Sequence, residues 1–255
     1  MFPRRRIVSC ALALLVALVA SGCKASHEAA AATPTTRHAR VTTTTSTTAP
    51  EGIPQPTKIA LAAVAKGDSV TVHPAPGVAA VAMTLANPTA EQMPLAMLVV
   101  DQQNDWLQVR LPVRPNGTLG WIQSSEVDVS PVDNRIVINI DQRRLRVLDK
   151  AQQVVFDTNV AVGKPATPTP LGRFYVDVWL PNPGGPYGKF MLSIAGFSNV
   201  LKSFAGGRGQ IAMHGWSDTS VMGRNVSNGC VRMRNDDISR LATLAPLGTP
   251  VEIIA

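Results

Sequence analysis

The sequence predicts a mostly β protein built as two modules behind an exported N-terminus. Three observations lead there. Between Lys58 and Val129, short alternating or apolar runs such as SVTV and WLQVRL are punctuated by Pro, Gly and Asn. After Pro131 the alternation restarts through Ile136, Ile138 and Ile140, then Leu145 and Val147. Helical spacing is seen in a short stretch, at Ile238, Leu241 and Leu244. Period-two alternation marks half-buried strands, and turn residues at short intervals mark hairpins.

Residues 1–22 are read as an export signal. Arg4, Arg5 and Arg6 precede an apolar run from Ile7 to Ala20, shorter than the ~20 residues that span a bilayer and followed by small residues suited to cleavage. Cys23, after Ala20-Ser21-Gly22, resembles the lipidated cysteine of a bacterial lipobox, the alternative being an ordinary secretory signal cut nearby. Residues 23–57, including VTTTTSTTAP, hold too few large apolar side chains to collapse and are expected to form a disordered tether. The protein is therefore expected outside the cytoplasm, held at the outer face of the membrane through a lipid on Cys23. Cys10 leaves with the signal and Cys23 has no free thiol if lipidated, so Cys230 is left unpaired in an exported chain, which flags it as reactive.

Residues 58–130 read as a small all-β module. Asn116-Gly117 between LQVRLPVR and LGWI predicts a hairpin with a type I′ turn, since both central positions of that turn need positive φ. The stretch WLQVRLPVRPNGTLGWI, with Trp106 and Trp121, resembles a bacterial SH3-like barrel of the kind attached to cell-wall enzymes. Both tryptophans are expected in its core, and His73, ahead of Pro74, is expected as an exposed turn residue.

Residues 131–255 continue with strands at RIVINI, RLRVL and VVFDT, a proline-rich loop, and a strand from Arg173 to Leu180. PNPGGPYGKF is too rich in Gly and Pro for a regular element and is either a lid or a long hairpin connection. A helix is predicted over Asp236–Ala245, capped by Asp236 or Asp237, and PVEII closes the chain as a last strand.

The formal net charge is +7. After residue 130, 14 Lys and Arg face 9 Asp and Glu, a mild excess without the basic block of a nucleic-acid arm. In the same part His214 and Cys230 are the only histidine and the only cysteine, sixteen positions apart. A thiolate nucleophile and an imidazole base suffice for acyl transfer, and Gly215 and Gly229 beside them permit close backbone approach. One His and one Cys are too few to hold a metal, so neither metal nor cofactor is expected. Papain-like enzymes place the cysteine ahead of the histidine, the reverse of the order here.

From about Arg135 to Ile254 the chain resembles the YkuD-type L,D-transpeptidase catalytic domain. The resemblance is carried by TPLGRF (Thr169 to Phe174), His214-Gly215 and Ser227-Asn228-Gly229-Cys230-Val231-Arg232. It implies a β-sandwich-like domain that remodels peptidoglycan, with Cys230 attacking the carbonyl ahead of a terminal D-Ala in a stem tetrapeptide. His214 would act as base, oriented by the Gly215 carbonyl or alternatively by Asp218. The amides of Asn228, Gly229 and Cys230 would face the oxyanion, and Ser227, Trp216 and Arg232 would contact substrate, unless Arg232 serves a structural pairing. The amine of a second stem would resolve the thioester into a 3→3 cross-link, water would give a carboxypeptidase, and carbapenem-type β-lactams would acylate the thiol. Asn228 stands where the family commonly has histidine, which leaves a catalytically inactive cell-wall-binding lipoprotein as the other reading.

Overall fold

A computed structural model describes residues 59–255; the signal, Cys23 and the tether lie outside them. The first half contains β1 (Ala60–Ala65), β2 (Ser69–Val72), β3 (Met83–Ala86), β4 (Ala96–Gln103), β5 (Trp106–Arg110), β6 (Leu119–Gln123) and β7 (Val127–Val132). Five of these form a sheet in the order β6-β5-β4-β1-β7, and β2 pairs with β3 as a separate hairpin. Their alternate residues enclose one core that includes Val70, Val72, Met97, Leu107, Val109 and Ile122.

Three local expectations change here. The β5–β6 hairpin forms, but Gly117 has φ +88° while Asn116 does not have positive φ; the connection is a longer loop, and the Asn116 amide is drawn away to Phe197 in the second half of the chain. His73 is no free turn residue. Its backbone exchanges hydrogen bonds with Trp121 (2.7 and 2.9 Å) and its ring stands edge-on to Trp106 at 5.0 Å. Trp121 is buried, whereas Trp106 is half-buried.

The second half contains β8 (Arg135–Asn139), β9 (Arg144–Leu148), β10 (Val154–Asn159), β11 (Val162–Gly163), β12 (Gly172–Pro181), β13 (Phe190–Phe197), β14 (Gln210–Gly215), β15 (Asn225–Ser227), β16 (Val231–Met233), α1 (Asn235–Leu244) and β17 (Pro250–Ile254). Eight strands form one sheet in the order β10-β9-β8-β17-β12-β13-β14-β16, and β11 and β15 make a short parallel pair. Among the described residues the structure is mostly β with one α-helix, as the sequence predicts, and this sheet is barrel-like. Its inner face gathers Ile136, Ile138, Val147, Phe174, Val176, Ile194, Met213 and Ile253 around Ile238 and Leu241 of α1. Each such side chain contributes roughly 1.5–3 kcal/mol by leaving water, whereas a surface ion pair such as Arg144–Asp157 (2.6 Å) contributes at most about 1 kcal/mol. The core therefore holds the sheet.

The expected acidic cap on α1 is not made. Arg234 is the N-cap residue and its side chain makes no capping bond. Asp237 instead accepts from Thr158 Oγ1 at 2.7 Å, although both acidic residues still sit in the first turn, where the helix dipole favours negative charge.

Leu98 and Ala60 of the first sheet pack on Tyr175 and Ala195 of the second. Close by in sequence lies the buried Asp177, whose two oxygens both accept from Gln210 Nε2 (3.0 and 2.8 Å). Burial first, then the charge of Glu91, pushes its carboxyl up to about 7, against the pull of its hydrogen bonds and Arg208. Because the folded state holds this proton more tightly than the unfolded chain, stability drains away as pH rises from about 4 through about 7. Asp177→Asn is expected to remove that decline and to be the more stable form at pH 8 by roughly 2–4 kcal/mol. Denaturant unfolding at pH 5 and pH 8 checks it; equal pH dependence in the two proteins would show that the buried carboxyl carries no such cost.

Candidate active site

Strand pairing brings His214 and Cys230 together. β14 ends in His214-Gly215 and pairs in parallel with β16, placing His214 opposite Arg232. Cys230 immediately precedes β16, so a sixteen-residue separation in sequence becomes neighbouring strands. His214 and Cys230 line one cleft of about 130 Å³ together with Tyr187, Trp216, Asn228 and Arg232. A larger cleft of about 840 Å³, lined by residues such as Ile59, Arg110, Arg135 and Arg173, holds neither a cysteine nor a histidine.

The loop before Cys230 is fixed from beneath. Thr169 Oγ1 donates to the Gly229 carbonyl (2.8 Å) and accepts from the Gly163 amide (2.9 Å), and Thr167 Oγ1 donates to the Ser227 carbonyl (3.2 Å). This is the physical content of the proline-rich loop that runs into TPLGRF: its threonines Thr167 and Thr169 support the cysteine loop. Gly229 has φ +114°, a conformation that L side chains rarely adopt, and the Ile211 side chain lies 3.0 Å from where its Cβ would stand.

Two expectations for this loop are corrected. Ser227 is 1% exposed, and its hydroxyl donates to the Cys230 carbonyl while accepting from the Gly229 amide. It staples the loop and is not free to bind substrate. The Gly229 amide is for the same reason already engaged, which leaves the Asn228 and Cys230 amides as the candidate oxyanion donors.

His214 is 3% exposed, with its ring edge-on to Tyr187 (5.0 Å) and Trp216 (5.8 Å). Nδ1 lies 2.8 Å from the Gly215 carbonyl. A carbonyl only accepts, so Nδ1 carries the proton and Nε2 is left with a lone pair. The backbone approach around Gly215 is tight: a Cβ there would run into Asn235 Oδ1 and stand 3.0 Å from Gly188 Cα. Asp218 is fully exposed and accepts from the Ser220 amide and hydroxyl, so it does not orient the imidazole.

Burial pushes the Cys230 thiol up, opposed by a backbone hydrogen bond from Ala212 and by Arg232. Burial likewise lowers His214 to about 4, with Arg232 adding to the shift and the Gly215 hydrogen bond opposing it. Both shifts disfavour charge, so the pair rests as thiol and neutral imidazole. Arg232 sits 3.7 Å over the Trp216 ring, and its buried Nε has no hydrogen-bond partner. That pairs the arginine with an aromatic face. Sequence reading missed Tyr187, hidden in the Gly/Pro-rich PNPGGPYGKF segment, and the walls supplied by Ser198, Leu201 and Phe204, which belong to a loop without any periodic signal.

Residues 133–253 match the model of the L,D-transpeptidase catalytic domain family YkuD. A putative L,D-transpeptidase YkuD of Bacillus licheniformis is 36% identical over 119 residues, covering 47% of this chain and 64% of the relative. Its counterpart in Bacillus subtilis is 33% identical over 126 residues, covering 49% of this chain and 69% of the relative. An L,D-transpeptidase structure from Mycobacterium tuberculosis is 16% identical, covers 56% of this chain and 75% of that one, and superposes with a TM-score of 0.41, too loosely to bear on the assignment. The chain spans somewhat under two thirds of the first of these relatives and more than two thirds of the second, and on that similarity it belongs to the YkuD family of L,D-transpeptidase catalytic domains.

Proposed function

We propose that the protein is a cysteine-dependent L,D-transpeptidase acting on peptidoglycan stem peptides. The observation that carries this reading is His214 with Nδ1 tied to the Gly215 carbonyl and Nε2 free, sharing a cleft with Cys230. Nε2 takes the thiol proton as sulfur bonds to the carbonyl carbon ahead of the terminal D-Ala. The oxyanion is held by the Asn228 and Cys230 amides, a contribution worth about 3–4 kcal/mol for a single donor in related chemistry. The C–N bond then breaks, the imidazolium proton passes to the leaving amine, and a thioester remains. The amine of a second stem attacks it, giving a 3→3 cross-link and returning the thiol; water in its place gives the carboxypeptidase outcome. Arg232 lines the cleft with its guanidinium over the Trp216 ring and is placed to meet a substrate carboxylate.

Asn228 decides between an enzyme and an inactive wall-binding protein. Its backbone φ is not positive, so the loop makes no demand there that only particular side chains meet, and its contribution is the backbone amide. The wild-type protein is expected to be acylated by a carbapenem, and Asn228→His to change that rate by less than about tenfold, or ~1.4 kcal/mol. Intact-mass kinetics test it. An unmodified wild type beside a reactive Asn228→His would overturn the enzymatic reading.

The anchor belongs to the same proposal: a lipid on Cys23 and the tether hold the domain at the outer face of the membrane, within reach of the wall. Cys23→Ser is expected to move the protein from the membrane to the soluble fraction. Identical fractionation, with no lipid mass on the mature wild type, would remove the anchor.

A further inference from the structure

One wall of the cleft that holds His214 and Cys230 is held by the first module. Residues 198–209 form a lasso between β13 and β14: the Ser198 amide donates to the Gly209 carbonyl at its neck (2.8 Å), and Phe204 and Gly207 exchange backbone bonds at its tip (3.0 and 2.9 Å). Ser198, Leu201, Phe204 and Gly209 face the cleft that contains His214 and Cys230. The lasso has little core of its own, since Val200 and Phe204 are 53% and 44% exposed. Such segments open at low free energy unless something outside holds them.

What holds it is the loop joining β5 and β6. Arg114 Nη1 donates to the Ser198 carbonyl (2.8 Å), and Nη2 to those of Leu201 (3.1 Å) and Arg208 (3.0 Å). Its guanidinium lies 4.9 Å over the Phe197 ring. Asn116 exchanges two bonds with the Phe197 backbone, at 2.8 and 2.9 Å. One fork thus grips the start, middle and end of the lasso, while the asparagine fixes the strand residue from which it springs. A guanidinium has the fixed array of donors this needs; a lysine ammonium is a point donor on a flexible stem.

We infer that Arg114 and Asn116 are positioning residues of the active site: the first module sets the 198–209 lasso as the wall against which the acyl donor is seated. This gives that module a part in donor recognition in addition to any attachment to the wall. The inference rests on the acyl-transfer reading for its functional half, while the clamp itself is a property of the fold.

The test uses the full chain carrying Arg114→Ala, Arg114→Lys or Asn116→Ala, with two readouts. Hydrogen exchange is expected to rise at least ~10-fold in residues 198–209 of both alanine variants, with β8 and β17 unchanged and Arg114→Lys intermediate. Carbapenem acylation is expected to show an encounter constant weakened about tenfold with a limiting rate within about threefold of wild type. Unchanged exchange in the lasso, or exchange rising equally throughout the protein, would overturn the clamp. A loosened lasso with an unchanged encounter constant would overturn its role in seating the donor. If the wild type itself is not acylated, the acyl-transfer reading and the functional half fall together, and the exchange data still decide the clamp.

Discussion

Cys230→Ala is expected to abolish acyl-enzyme formation with a carbapenem and cross-linking of stem peptides, a loss of at least ~10⁴-fold, as when the nucleophile is removed from other acyl-transfer enzymes. The fold is expected to survive. The loop around position 230 is held by groups other than the thiol: Thr169 on the Gly229 carbonyl, Ser227 on the Cys230 carbonyl, and the β14–β16 pairing just beyond it. The cysteine side chain is half-buried at the cleft, so truncating it leaves no sealed cavity in the core. Cys230→Ser separates geometry from nucleophilicity, because a hydroxyl can occupy the same place but is a far weaker nucleophile at neutral pH. Intact-mass analysis after incubation with a carbapenem and with a disaccharide-tetrapeptide, alongside thermal unfolding, reads both parts. Turnover retained in Cys230→Ala would sink the mechanism, whichever other residue was responsible.

The strands and the motifs around His214 and Cys230 are legible in the sequence because both are written in short-range pattern. Ile136, Ile138, Leu145 and Val147 alternate as inner-face residues must, and they line the inner core; Ile238 and Leu241 recur at helical spacing and close it. The cysteine loop is legible because a positive-φ glycine beside a nucleophile leaves a mark in sequence. What is not legible depends on partners far along the chain. Nothing near Arg114 or Asn116 announces that their acceptors lie 81 to 94 positions away. Asn116-Gly117 looks like a type I′ turn until the asparagine amide is claimed by Phe197. Asp237 looks like a cap until Thr158 supplies a better partner. The same limit applies to roles within the site: Ser227 carries a hydroxyl next to a nucleophile, and only its bonds to Cys230 and Gly229 show that it serves the loop.

His214→Gln is expected to slow acylation by about 10²- to 10⁴-fold, the usual worth of a positioned general base, and to change the pH profile in a direction that burial dictates. An unperturbed imidazole would give the wild-type rate an acid limb near 6.5. Here burial lowers His214 to about 4 and pushes the Cys230 thiol up, so neither group changes charge across neutrality. The base must be neutral to accept the thiol proton; the wild-type rate is therefore expected to stay level through neutral pH and to fall only as pH drops through about 4. Glutamine at position 214 can preserve hydrogen bonding but cannot take up the proton, so the variant depends on whatever thiolate exists before substrate arrives. Its rate should climb about tenfold per pH unit through neutrality, making the deficit largest in mild acid and smallest in alkali. Carbapenem acylation followed by mass from pH 5 to pH 9 reads both slopes. Folding must be monitored at each pH, because a histidine whose folded pKa lies below its unfolded value stabilises the protein less as pH falls from about 6.5 towards 4. A wild-type limb near 6 to 7, with the fold intact, would mean that His214 titrates as an unperturbed imidazole and that burial does not hold it neutral; a His214→Gln profile parallel to wild type would remove His214 from the base role altogether.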